Sequence, residues 1–273
     1  MTNIFDLRNR VYVITGGAGT LGIKHAEALL EYNGIVVLFD IDDGVVEKAA
    51  ELKRKLNKEC MGIRVDITDS KSIKHGVDLV LEKYSSIYGL INNAANNPKV
   101  DAQGVTDETR FETFPEERWN DDIRVGITGS FLMSQAIGPL LAKQGEGVIL
   151  NVASDLSVIA PDQRIYHKKG LRDEEQPAKP VTYSVTKNAL IGLTKYLATY
   201  WGHKGVRVNA ISPGGIGSDS LDPEFVKKIA NLIPMGRMAC LDEYKGAIVF
   251  LCSDASAYMT GQNVVFDGGR GVW

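Results

Sequence analysis

The stretch Val13-Ile-Thr-Gly-Gly-Ala-Gly-Thr-Leu-Gly22 decides how the rest of the chain is read. A β-branched apolar run at 11–15 leads into it, and an amphipathic segment of helical length follows at 21–32. Glycines let the backbone turn tightly and let a pyrophosphate come close, while the helix start offers unpaired N–H groups and a partial positive charge to an anion. A turn that only packs helix on strand is the bland alternative, and the position between strand and helix favours binding. Asp40 closes the next strand, at about the 20-residue spacing at which an acidic group accepts from a ribose 2′-hydroxyl. A carboxylate there repels a 2′-phosphate. No Arg or Lys falls within 41–47, so NAD is expected over NADP.

Outward from this turn, short apolar runs alternate with helical stretches. Strands are expected at 11–15, 35–39, 62–65, 88–92, 147–152, 206–211 and 263–266. Helices are expected at 21–32, 45–56, 70–84, 116–143, 183–201, 222–233 and 241–251. The strands are continuous apolar runs without alternation, as in strands buried on both faces. The strand–helix order gives a doubly wound, mostly parallel Rossmann-type sheet of about seven strands with helices on both faces. One domain is expected over 1–273, interrupted by an inserted surface loop at 161–182 that is polar and proline-containing.

Composition narrows the class of function. Hydrophobic content of 44% and charged content of 24% are those of an ordinary globular chain and exclude disorder as the main state. The net charge of −3 argues against a nucleic-acid partner. No apolar run is expected to span a membrane, and the first ten residues lack the apolar core of a signal peptide. Cys60, Cys240 and Cys252 are scattered without CxxC spacing, which fits a cytoplasmic protein without a metal site.

Tyr183-Ser-Val-Thr-Lys187 places a phenol and an ammonium group one helical turn apart. A phenol near pKa ~10 serves as acid–base group at neutral pH only when a cation favours the phenolate, and Lys187 supplies one. Ser154, just past the strand at 147–152, is placed to hydrogen-bond the same substrate oxygen.

These residues occur in order with Asn92-Asn93-Ala94-Ala95, Ser212-Pro213-Gly214 and Phe266-Asp267-Gly268-Gly269. The set resembles the short-chain dehydrogenase/reductase family, single-domain branch, over nearly the whole chain. The resemblance implies NAD-dependent hydride transfer between nicotinamide and an alcohol or ketone. It implies Tyr183 as acid/base, Lys187 lowering its pKa and holding the nicotinamide ribose, and Ser154 orienting the substrate. For the cofactor it implies Gly16, Gly19, Thr20, Leu21 and Gly22 around the pyrophosphate, Asp40 on the ribose, and Asp66 and Ile67 beside the adenine. Asn93 and Ala94 would run along the cofactor, and Pro213, Gly214, Ile216 and Ser218 would flank the nicotinamide. It further implies a homotetramer (or homodimer) and a mobile substrate-binding segment at 219–238.

Two departures stand out. The turn reads TGxxGxxG, with Thr20 where the short branch has Gly. That spelling resembles extended sugar-nucleotide epimerases and dehydratases, the alternative reading. In the long helix, Gly126 stands where the family's Asn supports a water-linked proton path. This leaves room for a proton path through a water in the space the Asn left, for an altered relay through Asp155 or Thr128, or for a weakly catalytic dinucleotide-binding subunit. Ser154 and Tyr183 stand farther apart than in most of the family, and the excess lies in 161–182. That loop carries Arg164, His167, Lys168, Lys169, Arg172 and Lys179 among four carboxylates, which reads first as a solvated flap or subunit contact. Cations meeting an acidic or sugar-like substrate, Arg164 and Lys168 foremost, are the sharper reading. The chain is similar to gluconate 5-dehydrogenase-like proteins and to dehydrogenases of surface-sugar or flagellin-glycan pathways, which implies a small polar, sugar-like substrate.

Overall fold

The computed structural model describes residues 3–96 and 109–273. Seven parallel strands form one sheet: β1 (Val11–Thr15), β2 (Ile35–Asp40), β3 (Cys60–Arg64), β4 (Gly89–Asn92), β5 (Gly147–Val152), β6 (Val206–Pro213) and β7 (Asn263–Phe266), in the order β3-β2-β1-β4-β5-β6-β7. The expected doubly wound Rossmann-type α/β fold is what the chain adopts. After β3 the chain returns to the far side of β1 and builds outward again. The reversal between β1 and β4 opens a crevice at the carboxyl ends of the strands, where such sheets bind ligands.

Residues of one apolar run serve two cores because successive side chains leave a strand on opposite faces. Tyr12, Ile14 and Leu38 pack with α1 (Thr20–Glu31) and with α8 (Lys245–Cys252). Val13, Val37, Phe39 and Leu90 pack on the other face with α3 (Ser70–Tyr84), α5 (Ser130–Gln144) and α6 (Val181–Trp201). A third, smaller cluster joins Ile165 of the inserted loop to Ile229 and Ile233. Ile229 lies on α7 (Pro223–Ala230), which falls within 219–238. The loop at 161–182 is thus a packed layer on that segment rather than a free flap.

The loop is organised from within by Gln176. Its side chain donates to the carbonyls of Lys168 and Leu171 and accepts from the Lys168 N–H. Tyr166 lies against Phe225 with ring centroids 5.6 Å apart. Lys228 donates to the carbonyl of His167 at 2.7 Å.

Several sequence expectations change in detail. The helix expected at 116–143 is α4 (Glu116–Ile123), a π-helical stretch Arg124–Gly129, and α5. Two glycines of the π-helical stretch lie in close contacts that leave little room for a side chain. A Cβ on Gly129 would stand 2.5 Å from the Ile67 side chain, and one on Gly126 would stand 3.1 Å from Thr186. By length and composition Glu116–Gln144 does pass as a membrane span, against expectation. Here Met133, Ile137 and Leu141 of that run are buried in the sheet core. The helix expected at 222–233 stops at Ala230, ahead of Pro234, and the one at 241–251 begins as a 3-10 turn, Leu241–Tyr244.

Gly138 on α5 has no room for a side chain. A Cβ there would lie 2.0 Å from the Trp201 indole. Gly138→Ala is expected to lower stability by about 1–3 kcal/mol through overpacking. A reduced urea midpoint at unchanged m-value checks this.

Candidate active site

The glycine turn forms a cradle with no spare space. A Cβ on Gly22 would stand 2.2 Å from the Gly16 carbonyl oxygen, and one on Gly16 would stand 2.8 Å from Ala94 Cα. Gly16 also has φ +60, which an L side chain rarely adopts. Thr15 and Asn93 lock the cradle to β4. The Thr15 Oγ1 accepts from the N–H groups of Asn93 and Ala94, and the Asn93 amide donates to the carbonyls of Thr15 and Gly16. Gly19 caps α1 without a side-chain hydrogen bond, so the N–H groups of Thr20, Leu21 and Gly22 face the crevice as the first of the helix. A cradle closed to Cβ atoms and crowned by an uncapped helix fits a dinucleotide pyrophosphate.

Asp40 accepts from the Ala18 N–H at 2.9 Å and so shapes the turn. Two cations missed from the sequence lie near it. Lys48 donates to the Ala18 carbonyl, and Arg64, in register with Asp40 across β2 and β3, donates to Ile41 and pairs with Asp43. Asp66 accepts from the N–H and hydroxyl of Thr68, making the turn ahead of α3, and Ile67 is buried against Gly129. Across the crevice, the N–H of Gly214 donates to Phe266, tying the end of β6 to β7, and Pro213 ends the same strand. Ile216 bridges to Ala239, while the Ser218 hydroxyl is exposed and paired with Ser220 at 2.9 Å.

The structure brings Ser154, Tyr183 and Lys187 together at the carboxyl end of β5. The Tyr183 hydroxyl lies 3.4 Å from Ser154 Oγ. Lys187 Nζ donates to the Val152 carbonyl at 2.7 Å and sits 6.0 Å from the Tyr183 ring centroid. Burial pushes the Lys187 ammonium down to about 8, helped by the charge of Lys179. Burial pushes the Tyr183 phenol up, its hydrogen bond with Ser154 pulls it down, and the Asp155 charge pushes it up.

Asp155 is engaged at Ser154, away from Lys187. Its Oδ1 accepts from Ser154 Oγ at 2.8 Å, and its Oδ2 meets Arg270 at 2.7 Å in a buried ion pair. The Ser154 proton is therefore turned to Asp155, while its oxygen accepts from the Leu156 N–H at 3.2 Å and from the Tyr183 hydroxyl. Thr128 is exposed and takes no part, because the π-helical winding turns it outward. Arg164 pairs with Asp162 at the surface and does not reach the cleft. Lys179 does: its Nζ lies 3.7 Å from the centroid of the Tyr183 ring. A small cavity, with room on the order of one water, lies between Gly126, Asp122, Lys179, Thr182, Thr186 and Tyr183. Arg270 escaped the sequence reading, and among the loop's cations Arg164 and Lys168 stood ahead of Lys179. The spacing of Lys179, Tyr183 and Lys187, four residues at each step, is the signal that was present for Lys179.

Removing Arg270 would leave Asp155 charged, buried and unpaired. Arg270→Met is expected to cost about 3–5 kcal/mol. Adding Asp155→Asn should recover part of that loss, and denaturant unfolding of the single and double variants measures the coupling.

Comparison with known proteins places this geometry in a family. A family model described as enoyl-(acyl carrier protein) reductase matches residues 16–270. The NAD-dependent glycerol dehydrogenase of Listeria innocua is 33% identical, over 97% of this chain and 95% of that one. The D-threitol dehydrogenase of Mycolicibacterium smegmatis is 31% identical, over 97% and 94%. The solved gluconate 5-dehydrogenase of Burkholderia cenocepacia, in complex with NADP and tartrate, superposes with a TM-score of 0.83 at 26% identity, covering 99% of this chain and 98% of that one. The chain belongs to the short-chain dehydrogenase/reductase family of oxidoreductases.

Proposed function

We propose that this enzyme moves a hydride between NAD and an alcohol or ketone of a small polyol or sugar-like substrate. The convergence of the Ser154 and Tyr183 hydroxyls at the mouth of the glycine cradle carries this reading. The names of the glycerol and threitol relatives support the substrate class. Gly16, Gly19, Thr20, Leu21 and Gly22 would hold the pyrophosphate, Asp40 the adenosine ribose, and Asp66 and Ile67 the adenine. Asn93, Ala94, Pro213, Gly214, Ile216 and Ser218 would line the nicotinamide half, with Tyr183 and Lys187 at its ribose. When bound, the nicotinamide supplies the hydride acceptor or donor.

In oxidation, the substrate hydroxyl donates its one proton toward the Tyr183 oxygen, and its own oxygen accepts from Ser154 Oγ as the serine hydroxyl turns from Asp155. The Tyr183 oxygen takes the substrate proton as the carbon loses its hydride, and returns it in the reverse direction. The Lys187 ammonium stabilises the phenolate this requires. Asp40 favours NAD because its carboxylate would repel a 2′-phosphate, and of the two nearby cations Lys48 is held by the Ala18 carbonyl and Arg64 is paired with Asp43. The extended sugar-nucleotide reading loses support because this chain spans nearly the full length of its dehydrogenase relatives. Exposed Phe131, Tyr196, Tyr200, Phe266 and Trp273 suit a homotetramer working in the cytoplasm, and light scattering tests the assembly.

Tyr183→Phe is expected to lower kcat/KM by about 10²–10⁴-fold in a panel of glycerol, threitol and gluconate, with NAD outperforming NADP. A variant as active as the parent overturns the assignment. Because oxidation needs the phenolate, its kcat/KM should rise about tenfold per pH unit on the acid side, and ketone reduction should fall with rising pH. Steady-state pH profiles in both directions check the sign.

A further inference from the structure

We propose that Lys179, carried into the cleft by the inserted loop, is a second electrostatic partner of Tyr183 that holds its phenolate from the face of the ring. The inference rests on Tyr183 being the acid/base. Lys179 is a positioning residue, since it acts through Tyr183.

Three observations carry it. First, the ammonium nitrogen stands 3.7 Å from the ring centroid, well within cation–π range and nearer than Lys187 at 6.0 Å. A ring that becomes anionic attracts that cation far more strongly than a neutral one. Second, the Lys179 ammonium forms no hydrogen bond or ion pair among the described residues, and the carboxylate whose charge reaches it, Asp155, is itself paired with Arg270. Its backbone is fixed instead, the N–H donating to Gln163 at 2.8 Å, with Pro180 next in the chain. Third, the charges that face Tyr183 leave room for a second cation. From the segment after β5, Asp155 disfavours the phenolate, but Arg270 and Ser154 already hold that carboxylate. From α4, Asp122 accepts from Thr182 across the cavity. From the inserted loop, Tyr166 is neutral, pushed up to about 12 by burial. From α6 there is Lys187. Burial pushes Lys179 down to about 8, so at neutral pH it still carries its charge.

The test is made on Tyr183 itself as well as on turnover. The ultraviolet absorbance of the Tyr183 phenolate is followed with pH as the difference between the protein and its Tyr183→Phe counterpart, in the parent, Lys179→Arg and Lys179→Met backgrounds. Burial pushes the phenol up and Lys179 down to about 8, so the lysine has given up its proton where the phenol ionises. Lys179→Arg, which keeps its charge throughout, should lower the midpoint by about one pH unit, and Lys179→Met should leave it in place. In turnover, Lys179→Met should lower kcat/KM for oxidation about tenfold near pH 7, a loss that shrinks as the parent's own ammonium deprotonates, and Lys179→Arg should restore it. An unmoved midpoint in Lys179→Arg overturns the proposal. So does a loss of turnover that is equal at every pH, or one confined to KM, which would make Lys179 a substrate contact. If Lys179→Met fails to fold, Lys179→Gln is assayed in its place with the same expected loss. If the parent enzyme turns over none of the polyols, the functional reading fails while the titration still decides the part of Lys179.

Discussion

Positive charge beside a buried phenol is the constraint to which the carboxyl end of the sheet is built. A phenol removed from water resists ionisation, and ammonium groups removed from water resist carrying charge. The two penalties offset each other only when the groups meet. Lys187 is held to that task by the Val152 carbonyl, an acceptor that keeps the head aimed at the cleft without neutralising it. A carboxylate in the same place would quench the charge. Burial holds Lys187 low and Tyr183 high, and in the proposed reaction a proton moving between phenol and substrate would relieve part of that penalty.

The same economy explains Arg270. Asp155 next to Ser154 would add an uncompensated anion to a site that needs to stabilise another. The buried pair with Arg270 cancels that charge and leaves Oδ1 free to hold the Ser154 proton. The C-terminal turn is fastened for this purpose. Asp267 accepts from the N–H groups of Gly269 and Gly271, and the Trp273 indole donates to Leu232. Deeper in the sheet, the amides of Asn92 and Asn151 run a hydrogen-bonded chain to Thr194 on α6, fixing the helix that carries Tyr183 against the strand that leads to Ser154.

The strand pattern, the cradle and the Tyr183–Lys187 spacing were legible because each is local: a run of apolar residues, a cluster of glycines, one turn of helix. What was not legible depends on contacts between distant parts of the chain. Arg270 meets Asp155 across 115 positions. The π-helical stretch, where Gly126 meets Thr186 and Gly129 meets Ile67, is announced by nothing in the composition of 116–143. Among six cations in the inserted loop, only the four-residue step to Tyr183 set Lys179 apart from Arg164, and spacing alone does not place a side chain that precedes the helix. The choice is made by Asp162, which takes Arg164 out of play, and by Pro180, which leaves Lys179 one turn ahead of Tyr183 in an extended backbone.

The inserted loop also links chemistry to substrate access. Lys179 is anchored to Gln163, and the turn Gln163–Tyr166 places Ile165 on Ile229 and Ile233. The wall over the cleft and the ammonium group on the Tyr183 ring therefore share one small apolar cluster. Burial of such side chains is worth about 1.5–3 kcal/mol each at most. That is enough to hold the layer in place and small beside the stability of the sheet below it, whose strands carry two continuous cores. A substitution that loosens Ile165 would thus reach the placement of Lys179 on the Tyr183 ring without touching the strands, and under the proposed mechanism this cluster, rather than the glycine cradle, is where substrate range and proton transfer would vary together.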